Sequence, residues 1–111
     1  DFQRGIKNIN LYFEKIDNLA KENNAQLYLM IFPWPETLVY GQEKFNWEKF
    51  NINLCKKNNS CFKVINLFED FRKIKSKNTD WKNLIYIDDD VHFNEFGNNL
   101  VANKIINELK N

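Results

Sequence analysis

The chain predicts an α/β layered domain built on a mostly parallel sheet, and three observations predict it. Two short, nearly continuous apolar runs, "QLYLMIF" (26–32) and "CFKVINLF" (61–68), have the length of strands covered on both faces. Apolar residues at steps of three and four precede the first run and separate it from the second, which is the spacing of amphipathic helices. Helix and strand patterns that alternate in this way belong to helices layered on a parallel sheet.

The first helix is expected over about Phe2–Asn23, with Phe2, Ile6, Ile9, Phe13, Ile16 and Leu19 as one apolar stripe facing the core. Asn23 or Asn24 suits its C-terminal cap. The strand "QLYLMIF" follows and stops at "PWPETLVYG", where two prolines bracketing Trp34 cannot continue a ladder, so an ordered loop is expected. A second helix is expected from about Phe45 to Lys57, with Phe45, Trp47, Phe50 and Leu54 near one side. "CFKVINLF" is the second strand, "EDFRKIKSKNTD" a short helix or turn running into a polar loop, and "NLIYI" a third strand ending at Asp88. The last helix, about Glu95–Lys110, is expected to bury Phe96, Leu100, Val101, Ile105 and Leu109. At 111 residues the chain is expected to form one domain, 1–111.

The bulk numbers exclude several classes. A net charge of +1 makes no field that recruits nucleic acid or an anionic membrane. No apolar run approaches the ~20 residues of a membrane span. The opening "DFQRGIKNIN" lacks both an initiator Met and a leader, and reads as a start inside a longer protein. Cys55 and Cys61 flank "KKNNS" without the further Cys or His that zinc requires. Two readings stand, small buried thiols first and a loop-closing disulfide second. The compartment is open, and a bridge would argue for an extracytoplasmic home.

In open α/β sheets, ligands bind beyond the carboxyl ends of the strands. The loops "PWPETLVYG", "EDF" and "DDDVHFN" should therefore share an edge, and the last holds the only histidine, His92. Asp88, Asp89 and Asp90 invite three readings. They suit a solvated turn, with Asn94 capping the helix that follows. As ligands for Ca²⁺ or Mg²⁺ they would gain little from His92, and zinc would lack partners. As half of a catalytic triad, Asp89 would hold one imidazole nitrogen of His92 while the other accepts a proton from a nucleophile. Asp90 competes as orienter, with one intervening residue leaving less chain to fold back.

"DDVHFNEFGNNLVANKI" resembles the final block of the SGNH (GDSL-type) hydrolases, in which Asp-x-x-His precedes an Asn and a Gly in the next helix turn. The matching positions are Asp89, His92, Asn94 and Gly97, with Phe93 between. A missing side chain at Gly97 would let the helix start pack close to neighbouring backbone. The resemblance implies a partial three-layer α/β/α, flavodoxin-like fold, and this chain would be the C-terminal half of that domain. It also implies a serine ester hydrolase acting on an O-acyl ester (an acetylated carbohydrate or a lipid ester) with no metal or organic cofactor. Asp89 and His92 would be its catalytic pair. The family's nucleophilic serine sits in a Gly-Asp-Ser block, and neither Ser60 nor Ser76 has that context. The nucleophile and oxyanion donors are therefore expected upstream, and the chain alone is expected to be inactive. Half of such a sheet would leave an open edge and an uncovered apolar face, which invites association.

Trp34 is a candidate substrate-binding residue whose ring could stack on a sugar or acyl group, the competing reading being a residue packed under its loop. Glu36, Tyr40, Glu69 and Asp70 are weaker candidates, explained equally well as loop or cap residues. Lys56 and Lys57 are too few for a nucleic-acid patch. The alternative to the hydrolase is a non-catalytic α/β binding module that uses the Pro-Trp-Pro loop for a carbohydrate or protein partner.

Overall fold

The computed structural model describes residues 1–110. Among these residues, six helices and two strands follow one another as α1 (Phe2–Glu22), β1 (Leu27–Ile31), α2 (Pro35–Tyr40), α3 (Trp47–Lys57), β2 (Cys61–Asn66), α4 (Phe68–Lys77), α5 (Trp81–Ile85) and α6 (Glu95–Lys110). β1 and β2 pair in parallel as a two-stranded sheet, so the fold is mixed α/β. No described helix is long and apolar enough to cross a membrane. The chain divides into two compact units, Asp1–Leu29 with Asn46–Val64, and Met30–Phe45 with the residues from Ile65 onward.

In the first unit, the Asp1 carboxylate caps α1 by accepting the Arg4 N–H at 2.8 Å. The inward face of α1 is Ile6, Asn10, Phe13, Asp17 and Ala20, of which Asp17 and Ala20 are buried. The stripe expected from the sequence is therefore shifted. Ile6 and Phe13 turn inward, while Phe2, Ile9, Ile16 and Leu19 stay exposed. The apolar surface of α1 is wider than its unit can cover, and packing chose one edge of it. Asp17 accepts the Ser60 N–H at 2.7 Å and pairs with Lys21 at 3.0 Å, tying α1 to the approach of β2. The Asn46 side chain caps α3 through the Lys49 N–H, and α3 buries Leu54 and Cys55. The Cys55 and Cys61 sulfurs lie at disulfide distance, with Cα atoms 5.2 Å apart, so the second of the two cysteine readings is the one observed.

The core of the second unit is Leu38, Leu67, Phe71, Trp81, Ile85 and Tyr86, with Phe32, Phe93, Leu100 and Val101 packed against it. The Pro-Trp-Pro segment is more than a loop. Pro35 occupies the first turn of α2, where its missing N–H costs nothing. Gly41 ends the helix at φ 78°, donating its N–H to the Thr37 carbonyl. The third strand expected over "NLIYI" does not form. Trp81 to Ile85 coil into α5, which places these two side chains one turn apart on a single buried face. Of the strand only one antiparallel bridge remains, between Tyr86 and Phe93. A short apolar run is ambiguous between strand and helix, and here the core rewards the helical spacing. α6 also differs from expectation. Phe96 and Leu109 are exposed, and the inward contacts at its start come from Phe93 and Gly97.

Candidate functional site

The segment Tyr86–Asn94 is a tight loop tied at both ends. The Ile87 N–H donates to the His92 carbonyl at 2.9 Å, and the Asp90 N–H donates to the Ile87 carbonyl at 3.0 Å. This turn puts Asp89 at φ 54°, a left-handed conformation that Asp tolerates better than most residues. Beyond it, the Asp90 carboxylate oxygen Oδ1 accepts the N–H groups of Val91 (2.6 Å) and His92 (3.1 Å). The same oxygen lies 2.6 Å from Nδ1 of the His92 ring.

The ring is therefore oriented by Asp90. Asp89, the orienter expected from the Asp-x-x-His spacing, lies in the turn with its carboxylate exposed and makes no hydrogen bond among the described residues. The physical reason lies in the backbone. The two N–H groups after Asp90 converge on its own carboxylate, a local side-chain turn that needs no long fold-back. Three donors on one side hold the Asp90 carboxyl below its ordinary value: the His92 ring first, then the backbone N–H of His92, and last that of Val91, against an opposing push from burial that exceeds the Val91 contribution. An ionised carboxylate only accepts, so Nδ1 carries a proton, and in the neutral ring the lone pair falls to Nε2. The His92 side chain is 78% exposed. It is neither sealed in the core nor tied to a non-aspartyl group.

Asn94 anchors the loop to the helices on either side. Its amide donates to the carbonyls of Asn83, Leu84 and Tyr86, and its Oδ1 accepts the Gly97 N–H at 2.9 Å. Asn94 thus caps α6, as expected, and also satisfies the carbonyl end of α5. Phe93 packs between Phe32, Phe71 and Tyr86, at centroid distances of 4.9, 5.7 and 5.6 Å. A Cβ on Gly97 would run into the Ile85 carbonyl oxygen and come within 2.9 Å of the Phe93 Cβ. The close approach expected of this glycine is what the backbone shows.

Tyr86 links the two candidate loops, and no motif pointed to it. Its hydroxyl, buried, donates to the Pro33 carbonyl at 2.7 Å. Burial, reinforced by the charge of Glu36, pushes its ionisation far above the ordinary tyrosine value, so the O–H stays a donor. A tyrosine inside an apolar run implies a polar partner for its hydroxyl, which was the available signal. Beside this link lies a cleft of about 400 Å³, lined by Pro35 and Glu36 from one side and by Lys82, Asn83 and the Tyr86–Val91 loop from the other. The first and third loops expected on one edge do meet here. The segment after β2 does not line the cleft: Asp70 pairs with Lys104 at 3.3 Å and Glu69 with Arg72 at 3.1 Å.

Trp34 stands beside this cleft in sequence but does not line it. It is 57% exposed between two buried prolines, and so is not packed under its loop. Both serines are engaged elsewhere, the Ser60 hydroxyl donating to the Asp17 carbonyl and the Ser76 hydroxyl to the Lys73 carbonyl. Among the described residues no group of three or more His, Cys, Asp or Glu is arranged to hold a metal ion. No family model, no curated protein and no solved structure matches the chain significantly.

Proposed function

We propose that this chain is the C-terminal portion of an SGNH-type serine ester hydrolase, with a flavodoxin-like three-layer parent domain, and that it supplies the general base of that enzyme. The observation that carries the reading is the Asp90–His92 pair, with Nδ1 held at 2.6 Å and the rest of the ring open to solvent. In the intact enzyme, His92 Nε2 takes the proton of a serine hydroxyl as that oxygen attacks the acyl carbon. It then returns the proton to the leaving alcohol, and in the second half-reaction activates water to release the acid. Asp90 keeps Nδ1 protonated and stabilises the imidazolium that forms. Asn94 and Gly97 hold the loop to its helix. The position of Asp90 amends the family pattern, which assigns the orienting role to Asp89. The Cys55–Cys61 pair supports an oxidising, extracytoplasmic setting.

The test is hydrolysis of 4-nitrophenyl acetate by the longer polypeptide that carries these residues behind a Gly-Asp-Ser block. His92→Ala is expected to lower kcat/KM by about 10²–10⁴-fold. Asp90→Asn should cost more than Asp89→Asn. The 111-residue chain by itself should show no turnover. An active parent indifferent to His92→Ala overturns the proposal, as does robust turnover by the isolated chain.

A second reading rests on the exposure of Trp34 between two buried prolines. In it the turn presents a rigid aromatic face to a carbohydrate or a protein partner without chemistry. Ligand-dependent quenching of tryptophan fluorescence that Trp34→Ala removes, in a protein without esterase activity, would favour it.

A further inference from the structure

We propose that the exposed face of α1 is a self-association surface, on which α1 of a second copy packs antiparallel. The inference uses none of the residues to which the esterase reading gives a role, and it concerns the 111-residue chain, in which this face of α1 is exposed. α1 spans 21 residues yet buries only Asp17 and Ala20. Its inward row is Ile6, Asn10, Phe13, Asp17 and Ala20. Beside that row runs a second one, Phe2, Gly5, Ile9, Tyr12, Ile16 and Leu19, in which the steps alternate between three and four over the whole helix. That alternation is a heptad seam, with Phe2, Ile9 and Ile16 at one core position and Gly5, Tyr12 and Leu19 at the other.

The seam carries no charge, although α1 has four basic and three acidic residues on its other positions. Ile9, Tyr12, Ile16 and Leu19 keep 38%, 58%, 49% and 59% of their surface exposed, and Phe2 keeps 50% beside its edge contact with Trp47. Together these five side chains offer on the order of 500 Å² of apolar area, at the size such groups have. With the bordering Asn8 and Lys15 the strip approaches the roughly 800 Å² per partner of a stable interface.

Direction follows from volume. In a parallel pair Gly5 would face Gly5 and leave a hole in the seam. In the antiparallel pair Phe2 meets Leu19, Gly5 meets Ile16 and Ile9 meets Tyr12, so that the glycine receives a large neighbour and each layer fills. The helix dipoles then also oppose one another. The near balance of charge on α1 argues against a membrane surface, which selects for a basic polar face.

The experiment is sedimentation equilibrium on the oxidised 111-residue chain. A monomer–dimer equilibrium in the micromolar range is expected. Ile16→Lys should weaken it at least 100-fold with an unchanged far-ultraviolet circular dichroism spectrum, and Phe62→Lys, an exposed change off the seam, should leave it intact. Oxidative cross-linking of mixed Phe2→Cys and Leu19→Cys chains should give the mixed dimer in preference to either self-linked one. A wild-type chain that stays monomeric to several hundred micromolar, or a dimer indifferent to Ile16→Lys, overturns the proposal. So does binding to phosphatidylcholine vesicles that Ile16→Lys abolishes, which would assign the face to lipid.

Discussion

Asp89 and Asp90 differ by one position along the chain, and the local backbone decides between them. In the turn closed by the Asp90 N–H on the Ile87 carbonyl, Asp89 takes the left-handed corner and Asp90 receives the converging donors. The consequence is measurable in the isolated chain. Nitrogen chemical shifts of the His92 ring should report the Nδ1–H tautomer in the native protein. Asp90→Asn should move the ring toward the Nε2–H form that free imidazole favours, and Asp89→Asn should leave it unchanged. Retention of the Nδ1–H form in Asp90→Asn would remove Asp90 from its assigned role. The composition of this site was legible in the sequence, since the one histidine beside three acids before a capped helix announces itself. Its wiring was not, because spacing alone does not say which carboxylate the next two N–H groups will reach.

At the scale of elements, two contacts bear directly on stability: the start of α6 against the end of α5, and the tie from α1 to the residue before β2. Gly97→Ala drives a methyl group toward the Ile85 carbonyl and Phe93, neither of which is a flexible side-chain end. It should destabilise the fold by about 2–3 kcal/mol, the scale of overpacking, read as a lower urea midpoint at unchanged m-value. The Asp17 carboxyl is opposed by burial, which raises its ionisation, but the Ser60 hydrogen bonds and Lys21 outweigh this and hold it below its ordinary 3.8. A carboxylate depressed on folding stabilises the native state above its unfolded value and loses that contribution as pH falls through the folded one. Asp17→Asn should therefore lower the thermal midpoint at pH 7, and the gap from the native protein should close below about pH 3.8. A pH-independent gap would mean that Asp17 acts by shape alone. The close approach at Gly97 was expected from the sequence, whereas the Asp17 tie escapes pattern reading. A buried Asp on a helix face looks like a break in the stripe until the Ser60 N–H is brought to it by the tertiary fold.

For the molecule as a whole, the covalent link between Cys55 and Cys61 closes a loop at the junction of α3 and β2, with a sequence separation of 6. Such a short loop restricts the unfolded chain only modestly, and reduction should cost about 2 kcal/mol in chemical unfolding. A reduced protein of unchanged stability would show that the unfolded chain already holds these residues together. The mixed α/β character, the two strands, the long first and last helices and the position of the histidine loop could all be derived from periodicity, capping residues and prolines, because each is a local property of a few neighbouring side chains. Tertiary packing alone decided that the first residues of "NLIYI" complete a short helix in which Trp81 and Ile85 share a buried face, and that Tyr86 reaches Pro33 to join two loops. It also decided that α1 turns Asp17 and Ala20 inward and leaves its heptad seam in water. The physical reason is common to all three. A short apolar segment is nearly as stable in either conformation and on either face, and the small difference is set by which distant side chains and backbone groups it meets.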